Sequence, residues 1–357
     1  MPLFSILPVD TLPLEERLQL VISFSAQMLE WVRNRGKIII IIHDNPDPDC
    51  LASALALQSL FAKKIQEDAT IAFSGMIGRS ENLIMAGILD IPLVPLEIVD
   101  LSKYGVVCML DTQPGTGNNS LDPAVPVDVV IDHHPLQTKS RDCKWVDVRV
   151  DYGVTATILY EYLLANDIEI DSILATAIFY AIKSDTQDLG REANLPDREA
   201  YLKLFPTVDK QLLYQITNPR QPVEYFTTIR RTLDYCRIYG TAVLVNMQGV
   251  VFPELVAEMA DFLLKMENVE AVLSFGEYSK ELVISLRTST PDMNAGEMVK
   301  RLVKGVGVGG GHALMAGGKI CPASLDAGFI SELEKLLTDR FLAEVGAENV
   351  EPLSIKL

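Results

Sequence analysis

The first half of the chain alternates between short apolar runs and longer segments with helical periodicity. The run GKIIIII at 36–42 is continuous and β-branched, which is typical of a parallel strand buried on both faces. A helical pattern follows at 51–64, with Asp49 placed to cap its start. Three more apolar runs of strand length follow, at 70–73, 105–110 and 127–131. Two further helical patterns come next, at 153–167 and 172–185. This order predicts an α/β domain with a doubly wound, mainly parallel sheet and helices on both of its faces.

The second half of the chain has a different pattern of polar and apolar residues. Residues 196–237 are polar and helix-prone, and prolines interrupt them, so we expect a helical connector there. Beyond it, strand-like runs alternate with helical patterns, and the glycine-rich segment 305–318 precedes an amphipathic terminal helix at 325–342. The predicted organisation is a catalytic α/β domain at 1–195, the connector, and a smaller α+β domain at 238–345.

Composition and charge narrow the class of protein. The chain has 357 residues, 48% of them hydrophobic, and a formal net charge of −17. Such an acidic chain is poorly suited to long nucleic acid, duplex or single-stranded, whose phosphates are met by lysine and arginine. The longest apolar runs fall far short of the roughly 20 residues of a membrane span. The first residues carry prolines and no basic cluster, so we expect no signal peptide, no membrane partner and a cytoplasmic location. Five cysteines without a CxxC pair are expected to be reduced, mostly buried thiols.

The chain has only four histidines, and each follows an apolar run beside aspartates, glycines or both. In an α/β sheet, polar groups beyond the carboxyl ends of the strands converge in one crevice. The segment HDNPDPD places His43, Asp47 and Asp49 directly after the first predicted strand, so three potential metal ligands lie within seven residues. A capped turn is the alternative, because Asn, Asp and Pro are common turn residues.

Three other segments repeat this arrangement of acidic groups after apolar runs. Asp111 follows VVCML, and Asp185 ends AIKSD. The run VDVVI is followed by Asp132, His133 and His134. A single aspartate in such a place is usually a turn or cap residue, but four such segments with three of the four histidines favour one shared site.

The donor types in these segments indicate the metal. Carboxylates and imidazoles without a thiolate suit Mn²⁺, Mg²⁺ or a similar ion. Four aspartates in one crevice would strongly raise each other's pKa, and two divalent cations would neutralise them. Two ions a few ångströms apart can activate a water molecule and polarise a phosphoryl oxygen. Such a site is typical of a hydrolase.

HDNPDPD, LDT, IDHH and IKSD resemble the four motifs of the DHH phosphoesterase family. That family includes RecJ-type exonucleases, family II inorganic pyrophosphatases and phosphatases of nanoRNA and 3′-phosphoadenosine 5′-phosphate (pAp). GVGGGHALMAGG resembles the signature of the DHH-associated second domain, so the resemblance covers nearly the whole chain. It implies two metal ions, foremost Mn²⁺, with Mg²⁺ or Co²⁺ as alternatives. It assigns one ion to His43, Asp47 and Asp111, and the other to Asp49, Asp111, His133 and Asp185.

The resemblance also implies roles around the metal ions. Asp111 would bridge the two ions, and Asp132 would orient His133 from behind, as ligating histidines generally require. His134 would face the substrate phosphate or the leaving oxygen. The loop at 112–120 lacks the arginine that nanoRNA-degrading relatives carry there.

In the second domain the resemblance points to substrate-binding residues. Gly309, Gly310 and Gly311 could let backbone N–H groups approach a phosphate or a base, with His312 adding a donor. A flexible loop is the alternative for this glycine run. Arg287, in the strand-like LVISLRT, is similar to the arginine that holds a substrate phosphate in the family, although such an arginine is otherwise mostly a solvated charge.

These observations predict hydrolysis of a phosphodiester or phosphomonoester in a small nucleotide or very short oligonucleotide. Linear dinucleotides, nanoRNA and pAp are the expected substrates. The alternatives are a pyrophosphatase or exopolyphosphatase of the same superfamily, and a nucleotide-binding protein without catalysis. The sequence does not determine the oligomeric state, and a homodimer is one alternative.

Overall fold

A computed structural model describes residues 12–191, 193–311, 313–321 and 327–355. The chain divides into two compact units, Met1–Pro219 and Arg220–Leu357, each with its own sheet and core. Among the described residues, no helix combines the length and apolarity that a membrane crossing requires.

The first unit is built on a six-stranded sheet in which every pairing is parallel. Its strands are β1 (Lys37–Ile42), β2 (Ala69–Phe73), β3 (Leu93–Pro95), β4 (Tyr104–Leu110), β5 (Val129–Asp132) and β6 (Trp145–Val148). They lie in the order β3-β2-β1-β4-β5-β6. The strand order reverses at β1 and β4, so the topological switch point, where α/β sheets bind ligands, lies at the carboxyl ends of these two strands.

Seven helices of the first unit flank this sheet in the described residues. They are α1 (Leu14–Val32), α2 (Pro48–Ile65), α3 (Ser80–Ile88), α4 (Thr155–Ala165), α5 (Ser172–Asp185), α6 (Leu195–Leu204) and α7 (Lys210–Thr217). The side chains of Ile38, Ile40 and Ile42 pack in one core with apolar residues of α1, α2, α4 and α5.

The other face of the first sheet is covered differently. Ile39 and Ile41 pack there against Leu96 and Leu121, which lie in a 3₁₀ turn and a loop. The predicted α/β class with a parallel sheet is confirmed. The expectation of helices on both faces is corrected: in the described part of the first unit, the clustered apolar side chains of the α-helices belong to the first core, and none lies in the cluster on the other face. The reason is that the chain returning to β4, β5 and β6 forms loops and 3₁₀ turns.

Helix α2 begins at Pro48, three residues before the predicted start at position 51, and its cap is Asp47 rather than Asp49. The helix is capped by Asp47, whose Oδ1 accepts hydrogen bonds from the backbone N–H groups of Asp49 (3.0 Å) and Cys50 (3.1 Å). Pro48 occupies the first helical position, where its missing N–H costs nothing. Asp49 therefore lies inside the first turn, and its carboxylate is available for other partners.

The second unit contains a mixed six-stranded sheet. Its strands are β7 (Arg237–Tyr239), β8 (Ala242–Gly249), β9 (Ala271–Tyr278), β10 (Glu281–Thr288), β11 (Val308–Gly311) and β12 (Met315–Ile320), in the order β11-β12-β10-β9-β8-β7. Its helices are α8 (Val223–Tyr235), α9 (Glu254–Leu263), α10 (Ala295–Leu302) and α11 (Ala327–Glu344). Only the β8–β9 pairing is parallel among the pairings that the structure describes.

The glycine-rich segment forms two strands rather than a flexible loop. Gly309 pairs with Gly318 across the β11–β12 ladder. A Cβ atom at Gly309 would lie 3.2 Å from Val299 Cγ1 and 3.3 Å from Val303 Cγ2. The glycine therefore allows the helical segment before β11 to pack closely against the edge of the sheet.

Candidate metal centre

The carboxyl ends of β1, β4 and β5 bring the predicted ligands of the first unit together. His43 follows β1, Asp111 follows β4, and Asp132 is the last residue of β5. Asp47 and Asp49 arrive at the start of α2. The remaining members are His133 and His134, directly after β5, and Asp185, the last residue of α5.

Asp111 lies between two histidines. Its Oδ2 is 3.5 Å from His43 Nε2, and its Oδ1 is 3.5 Å from His133 Nε2. The residue is 2% exposed and has a φ of 56°, a left-handed conformation that few non-glycine residues adopt but that aspartate tolerates. Backbone strain of this kind is concentrated at functional sites. The two oxygens of this carboxylate are placed as in a bridging ligand.

On either side of Asp111 lies a further group of donors. His43 Nε2 is 3.4 Å from Asp47 Oδ1, and His133 Nε2 is 3.9 Å from Asp49 Oδ2. Donor atoms of Asp49, His133 and Asp185 all lie within 4.8 Å of one another. Every metal ligand predicted from the sequence is thus brought to the same end of the sheet.

The structure adds one donor that the sequence analysis left out. Cys50 Sγ lies within 4.8 Å of donor atoms of both His43 and Asp47. The sequence analysis expected no thiolate among these ligands and treated the cysteines as inert. The signal was available, because Cys50 directly follows Asp49 in the first motif.

The orientation of the two flanking imidazoles fits a metal ion. His43 Nδ1 is 2.9 Å from the Asp44 carbonyl oxygen, and His133 Nδ1 is 3.2 Å from the Tyr152 carbonyl oxygen. A carbonyl only accepts, so each Nδ1 donates its proton there and leaves Nε2 directed at carboxylate oxygens. A contact between an imidazole Nε2 and a carboxylate oxygen is favourable only if a proton or a cation lies between them. A divalent cation satisfies both partners.

Asp132 has a different partner from the one expected. Its Oδ1 is 2.8 Å from His134 Nδ1 and accepts a hydrogen bond from the His134 backbone N–H at 3.1 Å. The expectation that Asp132 orients His133 is therefore corrected, since the Tyr152 carbonyl holds that ring. The chain bends after Asp132, and its carboxylate accepts the backbone N–H two residues on, as in an Asx turn, which explains why Asp132 reaches His134 instead.

Gln113 binds the second oxygen of Asp132, the one that His134 does not contact. No sequence motif pointed to this residue. It is fully buried, and its Nε2 donates to Asp132 Oδ2 at 2.7 Å. Its Oε1 accepts from the Gln137 backbone N–H and from Ser140 Oγ, both at 2.8 Å. Gln113 follows β4 and Asp132 ends β5, so pairing of the two strands creates the contact and no local pattern reveals it.

The first turn of α4 holds two of the central carboxylates. Asp49 is fully buried and accepts 2.7 Å hydrogen bonds from the backbone N–H groups of Thr155 and Ala156. Thr155 Oγ1 donates to Asp111 Oδ1 at 3.0 Å. A helix N-terminus stabilises negative charge, so α4 fixes both carboxylates in place.

Electrostatic repulsion remains in spite of these contacts. Burial raises the pKa of Asp49 well above its ordinary value, and the charges of Asp111 and Asp185 raise it further. Burial likewise raises the pKa of Asp185, with added repulsion from Asp47 and Asp111. Carboxylates crowded in this way favour cations, and the oxygen and nitrogen donors fit divalent ions.

His134 is held by Asp132 through the 2.8 Å hydrogen bond at its Nδ1. Burial disfavours its charge, but the hydrogen bond with Asp132 and the charge of Asp111 raise its pKa to about 9. Burial acts against ionisation of Asp132 too, yet the hydrogen bond and charge of His134 lower the pKa of this carboxyl. A partly exposed imidazolium at the edge of a metal centre is suited to general acid catalysis.

The predicted substrate residues lie in the second unit. Arg287 is 7% exposed, its Nε lies 2.5 Å from Asp261 Oδ1, and one of its terminal nitrogens donates to Ser285 Oγ at 2.8 Å. The alternative of a solvated surface charge is therefore wrong for Arg287. Gly309, Gly310 and Gly311 lie in β11, and His312 lies outside the described residues.

Family comparisons agree with this arrangement. Residues 37–182 match the model of the DHH family, N-terminal domain, and residues 240–339 match that of the DHHA1 domain. The chain therefore belongs to the DHH superfamily and carries a DHH domain followed by a DHHA1 domain.

The chain is also similar to individual proteins and solved structures. An uncharacterized protein of Methanocaldococcus jannaschii is 37% identical over 288 residues, which are 80% of this chain and 58% of that protein. This chain thus spans little more than half of that relative. The crystal structure of an exopolyphosphatase-related protein from Bacteroides fragilis superposes with a TM-score of 0.71 at 16% identity, covering 91% of this chain and 97% of that one. The exonuclease RecJ bound to manganese superposes with a TM-score of 0.51 at 13% identity, covering 93% and 95%. At these identities the two structures show a shared fold.

Proposed function

We propose that the protein is a divalent-metal-dependent phosphoesterase that hydrolyses a terminal phosphodiester or phosphomonoester in a short nucleotide. Linear dinucleotides, nanoRNA and pAp are the proposed substrates, and the cytoplasm is the proposed location. The observation that carries the proposal is the position of Asp111, whose two oxygens lie 3.5 Å from the Nε2 atoms of two different histidines.

The proposed ligands form two sets that share Asp111. His43, Asp47 and Asp111 would hold one ion. Asp49, Asp111, His133 and Asp185 would hold the other. Mn²⁺ is the proposed ion, because the aspartates and histidines of these two sets supply oxygen and nitrogen donors and because a RecJ of the same fold binds manganese. When bound, the ions supply Lewis acidity and lower the pKa of a water molecule.

The protein's own groups complete the proposed reaction. His134 donates a proton to the leaving oxygen, and Asp132 fixes the ring through Nδ1. Gln113 in turn fixes Asp132. The first turn of α4 keeps Asp49 and Asp111 in position, so that the metal ligands do not have to reorganise during turnover.

The proposed substrate is short for an electrostatic reason. A net charge of −17 opposes the approach of a long polyanion, whereas a single nucleotide end needs few cationic contacts. In this proposal Arg287, oriented by Asp261, and the backbone of Gly309, Gly310 and Gly311 bind the distal part of the nucleotide with His312. No role for a second copy of the chain is required.

A second candidate is hydrolysis of inorganic polyphosphate or pyrophosphate. It is favoured by the similarity to an exopolyphosphatase-related protein at a TM-score of 0.71. Both candidates use the same metal centre and differ only in the group that the DHHA1 domain recognises.

A substrate panel with Mn²⁺ separates the candidates. The panel contains pAp, the linear dinucleotides pApA and pGpG, cyclic dinucleotides, longer RNA, pyrophosphate and polyphosphate, with Asp111→Asn as the metal-site control. The proposal predicts fastest turnover of pAp or a linear dinucleotide and loss of turnover in the control. Faster release of phosphate from pyrophosphate or polyphosphate would favour the second candidate, and turnover of no phosphoester would refute both.

A further inference from the structure

The donor atoms around His43 and Asp47 include a thiol as well as oxygen and nitrogen. Cys50 is fully buried in the first turn of α2, and its Sγ lies within 4.8 Å of donor atoms of His43 and Asp47. The second set, Asp49, His133 and Asp185, contains no sulfur. The group around His43 therefore offers a soft sulfur donor, whereas the group around His133 offers only oxygen and nitrogen donors.

The position of this thiol is fixed by the helix start. The Cys50 backbone N–H donates to Asp47 Oδ1 at 3.1 Å, and Cys50 Sγ donates to the Asp47 carbonyl oxygen at 3.4 Å. The second contact is weak, since a thiol is a poor donor. A metal ion can replace the thiol proton without breaking any other contact that ties Cys50 to Asp47.

The other cysteines do not share this setting. Cys108, Cys143 and Cys236 are buried, and Cys321 is exposed. In the part of the chain that the structure describes, none of these four joins a group of three metal-binding donors. Among the described cysteines, Cys50 is therefore the one placed beside a histidine and an aspartate.

We propose that Cys50 supplies a sulfur ligand to the ion held by His43 and Asp47, so that this position prefers thiophilic divalent ions such as Zn²⁺ and Cd²⁺ over Mn²⁺. The inference deepens the proposed function, because it concerns the same metal centre. Thiolate ligands select soft and borderline ions, whereas carboxylates suit Mn²⁺. The thiol proton passes to solvent as the sulfur–metal bond forms. The position between Asp49, His133 and Asp185 keeps its preference for hard ions.

Cadmium binding tests this directly, because a thiolate bound to Cd²⁺ gives an ultraviolet charge-transfer band. The exposed thiol is removed first, so the parent protein is the Cys321→Ser variant, freed of metal by chelation. Titration with Cd²⁺ should produce a band that saturates near one ion per chain. The band should vanish when Cys50→Ala is added to the parent. It should remain when Cys108→Ala, a matched buried thiol in β4, is added instead.

Calorimetry gives the selectivity. Because the thiolate is a direct ligand for soft ions, Cys50→Ala should weaken Cd²⁺ binding by at least about tenfold and change Mn²⁺ binding much less. Cys50→Ser, which keeps the size of the side chain, should do the same and covers the case in which the alanine variant does not fold.

Three results would overturn the inference: absence of the band in the parent, its persistence without Cys50, or equal loss of Cd²⁺ and Mn²⁺ affinity. Hydrolysis by the Cys321→Ser parent with Mn²⁺ is measured separately. A Cys50-dependent band in a protein that hydrolyses no phosphoester would keep this inference and refute the proposed function. Hydrolysis without the band would do the reverse.

Discussion

At the scale of single residues, Asp111 is the centre of the arrangement. Each of its oxygens faces a different histidine, and Thr155 Oγ1 holds one of them. Asparagine has the same shape and also tolerates the left-handed conformation, so Asp111→Asn changes the charge with little change in the fold. We expect Mn²⁺-dependent turnover to fall at least about 100-fold, since a shared ligand loses its charge.

Two measurements check the Asp111→Asn prediction. Steady-state kinetics give the loss of turnover, and thermal unfolding without metal should show a midpoint no lower than that of the parent, because one of several crowded carboxylates has been neutralised. Turnover at the parent rate would contradict the role of Asp111. A much lower midpoint without metal would mean that the carboxylate is structural.

Gln113 acts on His134 through Asp132. Gln113→Met keeps the length of the side chain and removes the 2.7 Å hydrogen bond to Asp132. We expect kcat to fall about tenfold with KM little changed, because the proton donor loses its orientation while the metal ligands stay. In a His134→Asn background the same substitution should cost nothing further. An equal loss in both backgrounds would show that Gln113 acts independently of His134.

The raised pKa of His134 predicts how stability depends on pH. The ordinary pKa is 6.5, and in the folded protein it is about 9. Between these values the folded state binds more protons than the unfolded state, so stability falls as pH rises. The stabilisation is fully present below about pH 6.5 and is lost as the pH passes about 9.

Urea unfolding of the metal-free protein across this pH window gives the slope. The His134→Asn variant, which does not titrate at this position, should have a flatter dependence. The account of the His134–Asp132 pair fails if parent and variant lose stability at the same rate with pH.

At the scale of elements, the sequence predicted those whose pattern is local. The run Ile38–Ile42 is apolar throughout because β1 is covered on both faces, and it therefore stood out as a buried parallel strand. The metal ligands after β1, β4 and β5 followed from the rule that strand ends converge. Asp47 was misjudged because two aspartates two positions apart both suit a helix cap, and only the backbone geometry shows which one is used.

Contacts between segments that are distant in the chain could not be predicted from sequence patterns. The hydrogen bond between Gln113 and Asp132 arises from strand pairing, and α4 supplies the N–H groups that hold Asp49. The glycines of β11 suggested a loop because glycine is favoured where backbones must bend. Here they serve close packing instead, which a single sequence does not distinguish.

Two glycines in the same strand allow a matched test of β11. Gly311 has a φ of 154°, and a Cβ atom there would overlap Met315 O and Ala316, whereas a Cβ at Gly310 would meet nothing within 4 Å. We expect Gly311→Ala to lower the free energy of unfolding by about 1–3 kcal/mol and Gly310→Ala to change it little. Chemical denaturation checks both variants. Equal stability of the two would contradict the packing of this edge.

At the scale of the whole molecule, the chain divides into two compact units, each with its own sheet. The parallel sheet of the first unit gathers the donors at one edge, and the mixed sheet of the second unit belongs to the DHHA1 domain. One family match lies in each unit. In the proposed function the second unit selects the substrate through individual contacts, and motifs did not reveal that Arg287 pairs with Asp261.

The central claim is that side chains directly after β1, β4 and β5, at the start of α2 and at the end of α5 hold two divalent ions. The most direct test is a crystal structure with Mn²⁺, with data collected at the manganese absorption edge. The account predicts two anomalous peaks per chain roughly 3.5–4 Å apart, on either side of Asp111. One should lie beside His43 and Asp47, and the other beside Asp49, His133 and Asp185. Absence of both peaks from this edge of the sheet, or a single peak away from Asp111, would contradict it.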